Sequence, residues 1–207
     1  SLYIHFPFCM NSCLFCPIQT VRYDPSLVEI YIKSLKKEIA GCFKMIGRHR
    51  VDNIHFGGGT PSLIKEEEIE GILNIIRDYA DIENAEILLE AHPKFISNSM
   101  IDYLSGLRNC TINFGIQSLN DEILSSMKRQ CSGIEILRKI DFAKERVGTI
   151  GIDYISGWPT SNYKIITEDI KYIESMEPDH ISQYPLYLTS CLENLYLHNN
   201  GEKFKIL

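Results

Sequence analysis

No stretch of the chain is apolar over the ~20 residues that a membrane helix needs. No charged n-region and apolar h-region precede the first apolar run, which begins directly after Ser1. The expectation is a cytoplasmic protein with no membrane partner. Excess basic charge is also missing: 21 Lys and Arg stand against 27 Asp and Glu, for a formal net charge of −6 and a pI near 5.5. A surface built to neutralise nucleic-acid phosphate or to lie on anionic lipid carries the opposite sign, so nucleic acid is not an expected partner either. The short basic clusters Lys36-Lys37 and Arg48-His49-Arg50 read as solvated faces or loops. Internal repeats and low-complexity tracts are absent, and 44% hydrophobic with 23% charged residues describes one ordinary globular domain. The 207-residue chain opens inside a strand pattern and closes on Gly-Glu-Lys-Phe-Lys-Ile-Leu at 201–207, which reads as a piece of something longer.

A disulfide framework is excluded as well. The cysteines number seven, three of them crowded into eight residues and the others, Cys42, Cys110, Cys131 and Cys191, scattered singly. Scattered cysteines in a cytosolic chain read as small buried apolar residues.

What the sequence does contain is a regular alternation. Apolar, β-branched runs at Leu2 to Phe6, Val51 to Phe56, Ala85 to Ala91, Thr111 to Ile116, Thr149 to Ile155 and His180 to Leu186 read as strands. Between them, apolar residues recur at helical spacing: Leu27, Ile30, Tyr31, Leu35, Ile39 and Phe43, then Ile69, Ile72, Leu73, Ile76 and Tyr79. Further helices are expected from about Ser99 to Leu107, Asp121 to Met127, Gly133 to Val147 and Tyr163 to Met176. Strands that are each followed by a helix crossing back in the right-handed sense build a parallel sheet with helices on its outer face. The α/β pattern therefore predicts a partial (β/α)6 TIM-like barrel of parallel strands. In such an array the functional loops leave the carboxyl ends of the strands, so a catalytic candidate should sit just after a strand.

Directly after the first strand comes Pro7-Phe8-Cys9-Met10-Asn11-Ser12-Cys13-Leu14-Phe15-Cys16, a C-x3-C-x2-C cluster. Three thiolates so close in sequence can wrap one inorganic core, and thiolate is the ligand that iron–sulfur clusters select. Three ligands leave one iron open for chemistry on a bound molecule. The alternatives are zinc, which as a structural ion wants a fourth ligand that His5 would have to supply, and three metal-free thiols. For His5, four residues upstream in the strand, a hydrogen-bonding role inside the barrel is the stronger reading.

At this loop the sequence resembles the radical S-adenosylmethionine superfamily, whose hallmark is the same C-x3-C-x2-C. Within it, Leu2-Tyr3-Ile4-His5-Phe6-Pro7-Phe8-Cys9 is similar to the opening of the oxygen-independent coproporphyrinogen III oxidases and of the related haem chaperones. The resemblance continues through Asn53 to Ser62, with its Gly57-Gly58-Gly59-Thr60-Pro61 turn, and through Leu89-Glu90-Ala91-His92-Pro93, Phe114 to Asn120, Arg129, Gly151-Ile152-Asp153 and Gly157-Trp158-Pro159. It implies a radical S-adenosylmethionine core domain over 1–207, without a carboxy-terminal domain of the full-length protein. It also implies a [4Fe-4S] cluster on Cys9, Cys13 and Cys16, and one or two S-adenosylmethionine molecules on Tyr3, Phe15, Gly58, Gly59, Thr60, Glu90, Gln117, Arg129 and Asp153. An electron from the reduced cluster would break the sulfonium C–S bond, and the resulting 5′-deoxyadenosyl radical would take hydrogen from a substrate.

Read on their own, the glycines let backbone polar groups approach a ligand. Glu90, a carboxylate ending the third strand, is costly to desolvate unless something bonds to it, either a ligand or a neighbouring Lys or Arg. Tyr184, Pro185, Leu186 and Tyr187 border the same mouth, as rim packing or as adenine contacts. The implied partners are a porphyrinogen-like small molecule or haem, and an electron donor such as flavodoxin or ferredoxin. Ile18 stands where the oxidases carry a further cysteine, which turns weight toward the chaperones or toward two-S-adenosylmethionine methyltransferases and cyclopropane-forming enzymes.

Overall fold

A computed structural model describes residues 1–187, so Cys191 and the 201–207 segment lie outside the described residues. Six parallel strands form one sheet: β1 (Leu2–Phe6), β2 (Asn53–Gly58), β3 (Glu86–Ala91), β4 (Cys110–Gln117), β5 (Thr149–Ser156) and β6 (His180–Pro185). They lie in sequence order, with β1 and β6 at the two edges, so the sheet curls as the predicted partial barrel without closing. The expected strands and the observed ones agree to within a few residues. No helix among the described residues is long and apolar enough to cross a membrane.

Side chains alternate across a strand, and here the two faces differ sharply in chemistry. One face carries Ile4, Phe6, Ile54, Phe56, Leu89, Ile112, Phe114, Ile150 and Ile152, all buried. The helices cover it: α1 (Pro25–Ile46), α2 (Glu66–Tyr79), α3 (Asn98–Ser105), α4 (Asp121–Ser126), α5 (Gly133–Lys144) and α6 (Tyr163–Ser175). Ile69, Ile72, Leu73 and Ile76 of α2 and Ile136, Ile140 and Ala143 of α5 pack into that core, each fully shielded from water. The other face carries Tyr3, His5, His55, Glu90, Asn113, Asp153, His180 and Ser182. A full eight-stranded barrel fills its interior with branched apolar side chains. This one lines it with polar groups.

Local chemistry sets the helix ends. Asp24 caps α1 ahead of Pro25, and Ser97 and Asn162 cap α3 and α6. Ser132 and Glu135 close a full capping box on α5. Two points depart from the sequence reading, whereas both helices expected between the fourth and fifth strands, α4 and α5, are present. Cys42 is exposed, not buried, because it falls on the outer side of α1, whereas Cys110 and Cys131 are buried as expected. Lys36 is not a merely solvated cation, since its Nζ lies 2.6 Å from Glu68 Oε2 and ties α1 to α2. Asp169 of α6, buried at 3% exposure, accepts from Ser118 Oγ at 2.6 Å and from the Leu119 N–H at 3.2 Å. That carboxylate pins the loop leaving β4 to α6, and burial raises its pKa.

The start of α5 is held at close range. Gly133 is buried, its N–H donates to Asp121 Oδ1 at 2.7 Å, and a Cβ added there would lie 2.1 Å from the Leu119 carbonyl oxygen. Gly133→Ala is therefore expected to lower stability by about 1–3 kcal/mol, since backbone has to move to admit the methyl. Gly148→Ala, where nothing lies within 4 Å, should stay within about 0.5 kcal/mol of the parent. Urea unfolding of the pair checks this, and equal loss in both would refute the close-packing account.

Candidate active site

The carboxyl ends of the strands surround a cavity of about 770 Å³. Each predicted motif arrives there from its own strand. The loop after β1 brings Cys9, Cys13, Phe15 and Cys16; β2 brings Gly58, Gly59 and Thr60; β3 brings Glu90 and His92. β4 and its loop bring Asn113, Gly115, Gln117 and Arg129, and β5 brings Asp153. Among the residues expected to hold S-adenosylmethionine, only Tyr3 stands outside this lining. Its ring packs edge-on against His55 with centroids 5.1 Å apart, and it is 57% exposed. His5 also lies outside the lining, its Nδ1 3.4 Å from the Tyr3 hydroxyl, in keeping with a hydrogen-bonding role. Tyr187 reaches the cavity wall, while Tyr184, 52% exposed, does not line it.

The cysteine loop is fastened on three sides. Phe8–Cys9 pairs with Val21–Arg22, with the Tyr23 N–H donating to the Cys9 carbonyl at 2.8 Å. The Gly59 and Thr60 N–H groups donate to the carbonyls of Phe6 and Phe8 at 2.7 and 2.9 Å. Leu14 and Phe15 pack on a small apolar cluster of Ile123, Met127 and Trp158, and the Leu14 N–H donates to the Met127 carbonyl at 3.3 Å. Cys9 Sγ lies 3.2 Å from Thr60 Oγ1, and an Arg129 guanidinium nitrogen stands 3.9 Å from Cys13 Sγ. Burial raises the Cys9 and Cys16 thiol pKa values, offset first by hydrogen bonds, from Thr60 to Cys9 and from the Ile18 backbone to Cys16, and least by Arg129.

The glycine turn has a second task beside ligand approach. Gly58 sits at φ +115, a left-handed conformation that a side chain would strain. A Cβ on Gly59 would lie 2.6 Å from the Phe8 carbonyl and 3.0 Å from Cys9 Sγ. Glycine here permits the close seating of the cysteine loop.

Among the described residues Glu90 pairs with no Lys or Arg. Its Oε1 lies 2.8 Å from His55 Nε2, and its Oε2 accepts from the Gly58 N–H at 3.3 Å. Asp153 Oδ2 accepts from Asn113 Nδ2 at 2.8 Å, and burial raises its pKa. Among the described residues, three buried side-chain atoms have no hydrogen-bond partner: Asn113 Oδ1, Asp153 Oδ1 and Arg129 Nε. All three residues line this one cavity. An unmet buried polar atom costs roughly 1–3 kcal/mol, and three facing one space mark a place that a polar ligand completes.

Also among the described residues, no group of three or more His, Cys, Asp or Glu side chains is placed to hold a single metal ion. One ion needs donors converging on a point, whereas a four-iron cube is gripped at separate corners. Three thiols facing a wide cavity fit the cube.

Sequence reasoning passed over His92, which also lines the cavity. Its Nδ1 accepts from the Lys94 backbone N–H at 3.2 Å, its own backbone N–H donates to Ser62 Oγ at 3.1 Å, and its ring tilts against Phe95 at 4.5 Å. Burial first, then the charges of Arg129 and Lys94, depress its pKa to about 2. The missed signal was its place two residues beyond Glu90, at the end of a strand already picked out.

The Radical SAM superfamily model matches residues 3–173. The oxygen-independent coproporphyrinogen III oxidase of Synechocystis sp. is 31% identical over 189 residues, which span 89% of this chain and 40% of that protein. The heme chaperone HemW of Buchnera aphidicola subsp. Schizaphis graminum is 30% identical over 215 residues, spanning 100% of this chain and 57% of that one. Among solved structures, the coproporphyrinogen III oxidase of Escherichia coli, described as a Radical SAM enzyme, superposes with a TM-score of 0.83 at 26% identity. The superposition covers 93% of this chain and 45% of that one. The chain thus spans about half the length of the relatives it matches.

The depressed His92 pKa has a measurable consequence. In the unfolded chain the ring takes a proton as pH falls through 6.5, while in the folded protein it stays neutral down to about 2. The unfolded state then binds more protons, so the stability His92 contributes is complete above pH 6.5 and drains away below it, by up to about 1.4 kcal/mol per pH unit. His92→Asn should flatten the loss of stability between pH 7 and pH 5 in urea titrations. An unchanged slope would show that the folded protein protonates this ring like any exposed histidine.

Proposed function

The chain belongs to the Radical SAM superfamily, and from that premise we propose that it is an oxygen-sensitive enzyme of the coproporphyrinogen III oxidase-like group that cleaves S-adenosylmethionine reductively. Its cofactors are a [4Fe-4S] cluster and S-adenosylmethionine. One observation carries the reading: the three thiols and the three unpartnered buried polar atoms face the same cavity at the carboxyl ends of the strands. Bound there, a reduced cluster would supply the electron that breaks the sulfonium C–S bond of S-adenosylmethionine and so opens the way to hydrogen abstraction from a substrate.

The chain's own residues bind, orient and exclude water. Cys9, Cys13 and Cys16 hold the cluster, and Arg129 beside Cys13 offsets part of the charge gathered there. Backbone groups of Gly58, Gly59 and Thr60 meet the amino end of S-adenosylmethionine. Glu90, oriented by His55, accepts from ligand hydroxyl or amino groups, as do the free oxygens of Asn113 and Asp153. Arg129 Nε and the Gln117 side chain meet acceptor groups. Gln117 comes to the mouth by a register shift after Gly115 and a left-handed φ of +69. Leu14 and Phe15, backed by buried Trp158, give the wall an apolar stretch that keeps water from a reactive species.

A second reading, haem binding and transfer, is favoured by one feature. Ile18 stands 43% exposed on the cavity wall, where the oxidases carry a cysteine. An apolar side chain there suits contact with a flat apolar ring system better than chemistry.

Anaerobic reconstitution is expected to load about four irons per chain, and dithionite with S-adenosylmethionine to release 5′-deoxyadenosine, quantified by mass spectrometry. Cys13→Ala should abolish both, and the exposed Cys42→Ala neither. Zinc in place of iron, or equal loss in the two variants, would sink the assignment. A haem spectrum on mixing, with a cluster but no cleavage, would transfer the reading to the haem carrier.

A further inference from the structure

We propose that His92 is a binding residue of this cavity: its Nε2–H donates a hydrogen bond to a carboxylate oxygen of the molecule held there. The proposal rests on the reading of the cavity as an S-adenosylmethionine site and adds a contact to it. Because Nδ1 is committed as the acceptor of the Lys94 N–H, the single proton of a neutral imidazole has to sit on Nε2. The tilted contact with Phe95, centroids 4.5 Å apart, fixes the ring plane. Among the described residues Nε2 has no hydrogen-bond partner, and it is not one of the sealed, unpartnered atoms. It is therefore a pre-aimed donor on the wall of an open cavity.

Capping the turn at 92–94 would need only a short acceptor such as Asn or Asp. The second ring nitrogen and the burial of a neutral imidazole are left over, and a ligand accounts for both. The charges acting on the ring, Arg129 and Lys94, are both positive, and Arg129 Nε is itself buried without a partner. An anionic oxygen satisfies such surroundings, whereas an ammonium or sulfonium group would be repelled. That carboxylate comes either from the methionine end of S-adenosylmethionine or from a carboxylated substrate.

Two substitutions separate the nitrogens. Asn places an acceptor near the position of Nδ1 and removes the outer donor, and Gln places an amide N–H near Nε2 while giving up the turn acceptor. Wild type, H92N and H92Q are reconstituted with cluster without reductant. Iron and sulfide are then counted, S-adenosylmethionine affinity is measured by equilibrium dialysis, and coproporphyrin III affinity by fluorescence quenching. The expected result is equal iron in all three, with H92N about tenfold weaker toward one probe and H92Q within about threefold of wild type. Weakened S-adenosylmethionine assigns the contact to the cofactor, and weakened coproporphyrin alone assigns it to the substrate. Unchanged affinities in H92N overturn the proposal, as do loss of iron in H92N or a loss in H92Q equal to that in H92N. If wild type itself binds neither probe, the reading of the cavity fails and this proposal with it, an outcome distinct from every variant-specific one.

Discussion

Where β1 gives way to the cysteine loop, its backbone is stitched to the exit of β2. Two N–H groups, of Gly59 and Thr60, donate to the carbonyls of Phe6 and Phe8, and the Thr60 hydroxyl reaches Cys9 Sγ. This close approach is possible because Gly59 has no side chain. Everything at the mouth follows from it. The thiols are turned toward the cavity, the far side of the loop settles on Trp158 and Met127, and Gly58 is carried into reach of Glu90. The glycine turn and the cysteine loop are one unit built from two distant segments.

The second constraint is the polar lining of the barrel. Facing polar groups inward forfeits the apolar packing that stabilises a closed barrel, and stability comes instead from the helix-covered outer face. Within the lining, some groups satisfy one another, as in the His55–Glu90 and Asn113–Asp153 pairs. Others are left over at the mouth. That is the pattern of a preorganised site: the second atom of each acceptor is oriented by the first, and the cost of leaving it unmet is repaid when a ligand enters.

Much of this was legible in the sequence because it depends on period and position. The strands alternate cleanly, the helices show their spacing, and the cysteines, Glu90, Gln117 and Asp153 sit where a parallel sheet presents its functional ends. The rest depended on contacts that no local pattern carries. The burial of Asp169 is set by Ser118, some 50 residues away in sequence, and Glu90 found His55 on a neighbouring strand instead of a Lys or Arg. Cys42 is exposed because the face of a long surface helix on which it lies is decided by packing, not by residue type. Tyr3 is implied by resemblance alone, and its ring packs edge-on against His55, the partner of Glu90 on the cavity wall.

The leftover groups are also sorted by charge. Glu90 and Asp153, from β3 and β5, offer acceptors, while Arg129 and the neutral imidazole of His92 offer donors in a field made positive by Arg129 and Lys94. A molecule that carries an amine and a carboxylate on one carbon satisfies both sets best in the orientation that sets its amine toward the acceptors and its carboxylate toward the donors. Reversing it would bring like charges together in a partly desolvated space, where their repulsion is least screened. The wall thus acts as a fixed dipole across the cavity. On the proposed reading, such a dipole orients a zwitterionic amino-acid end toward the thiols, which is how binding energy spent on an unreactive part of a ligand places its reactive bond.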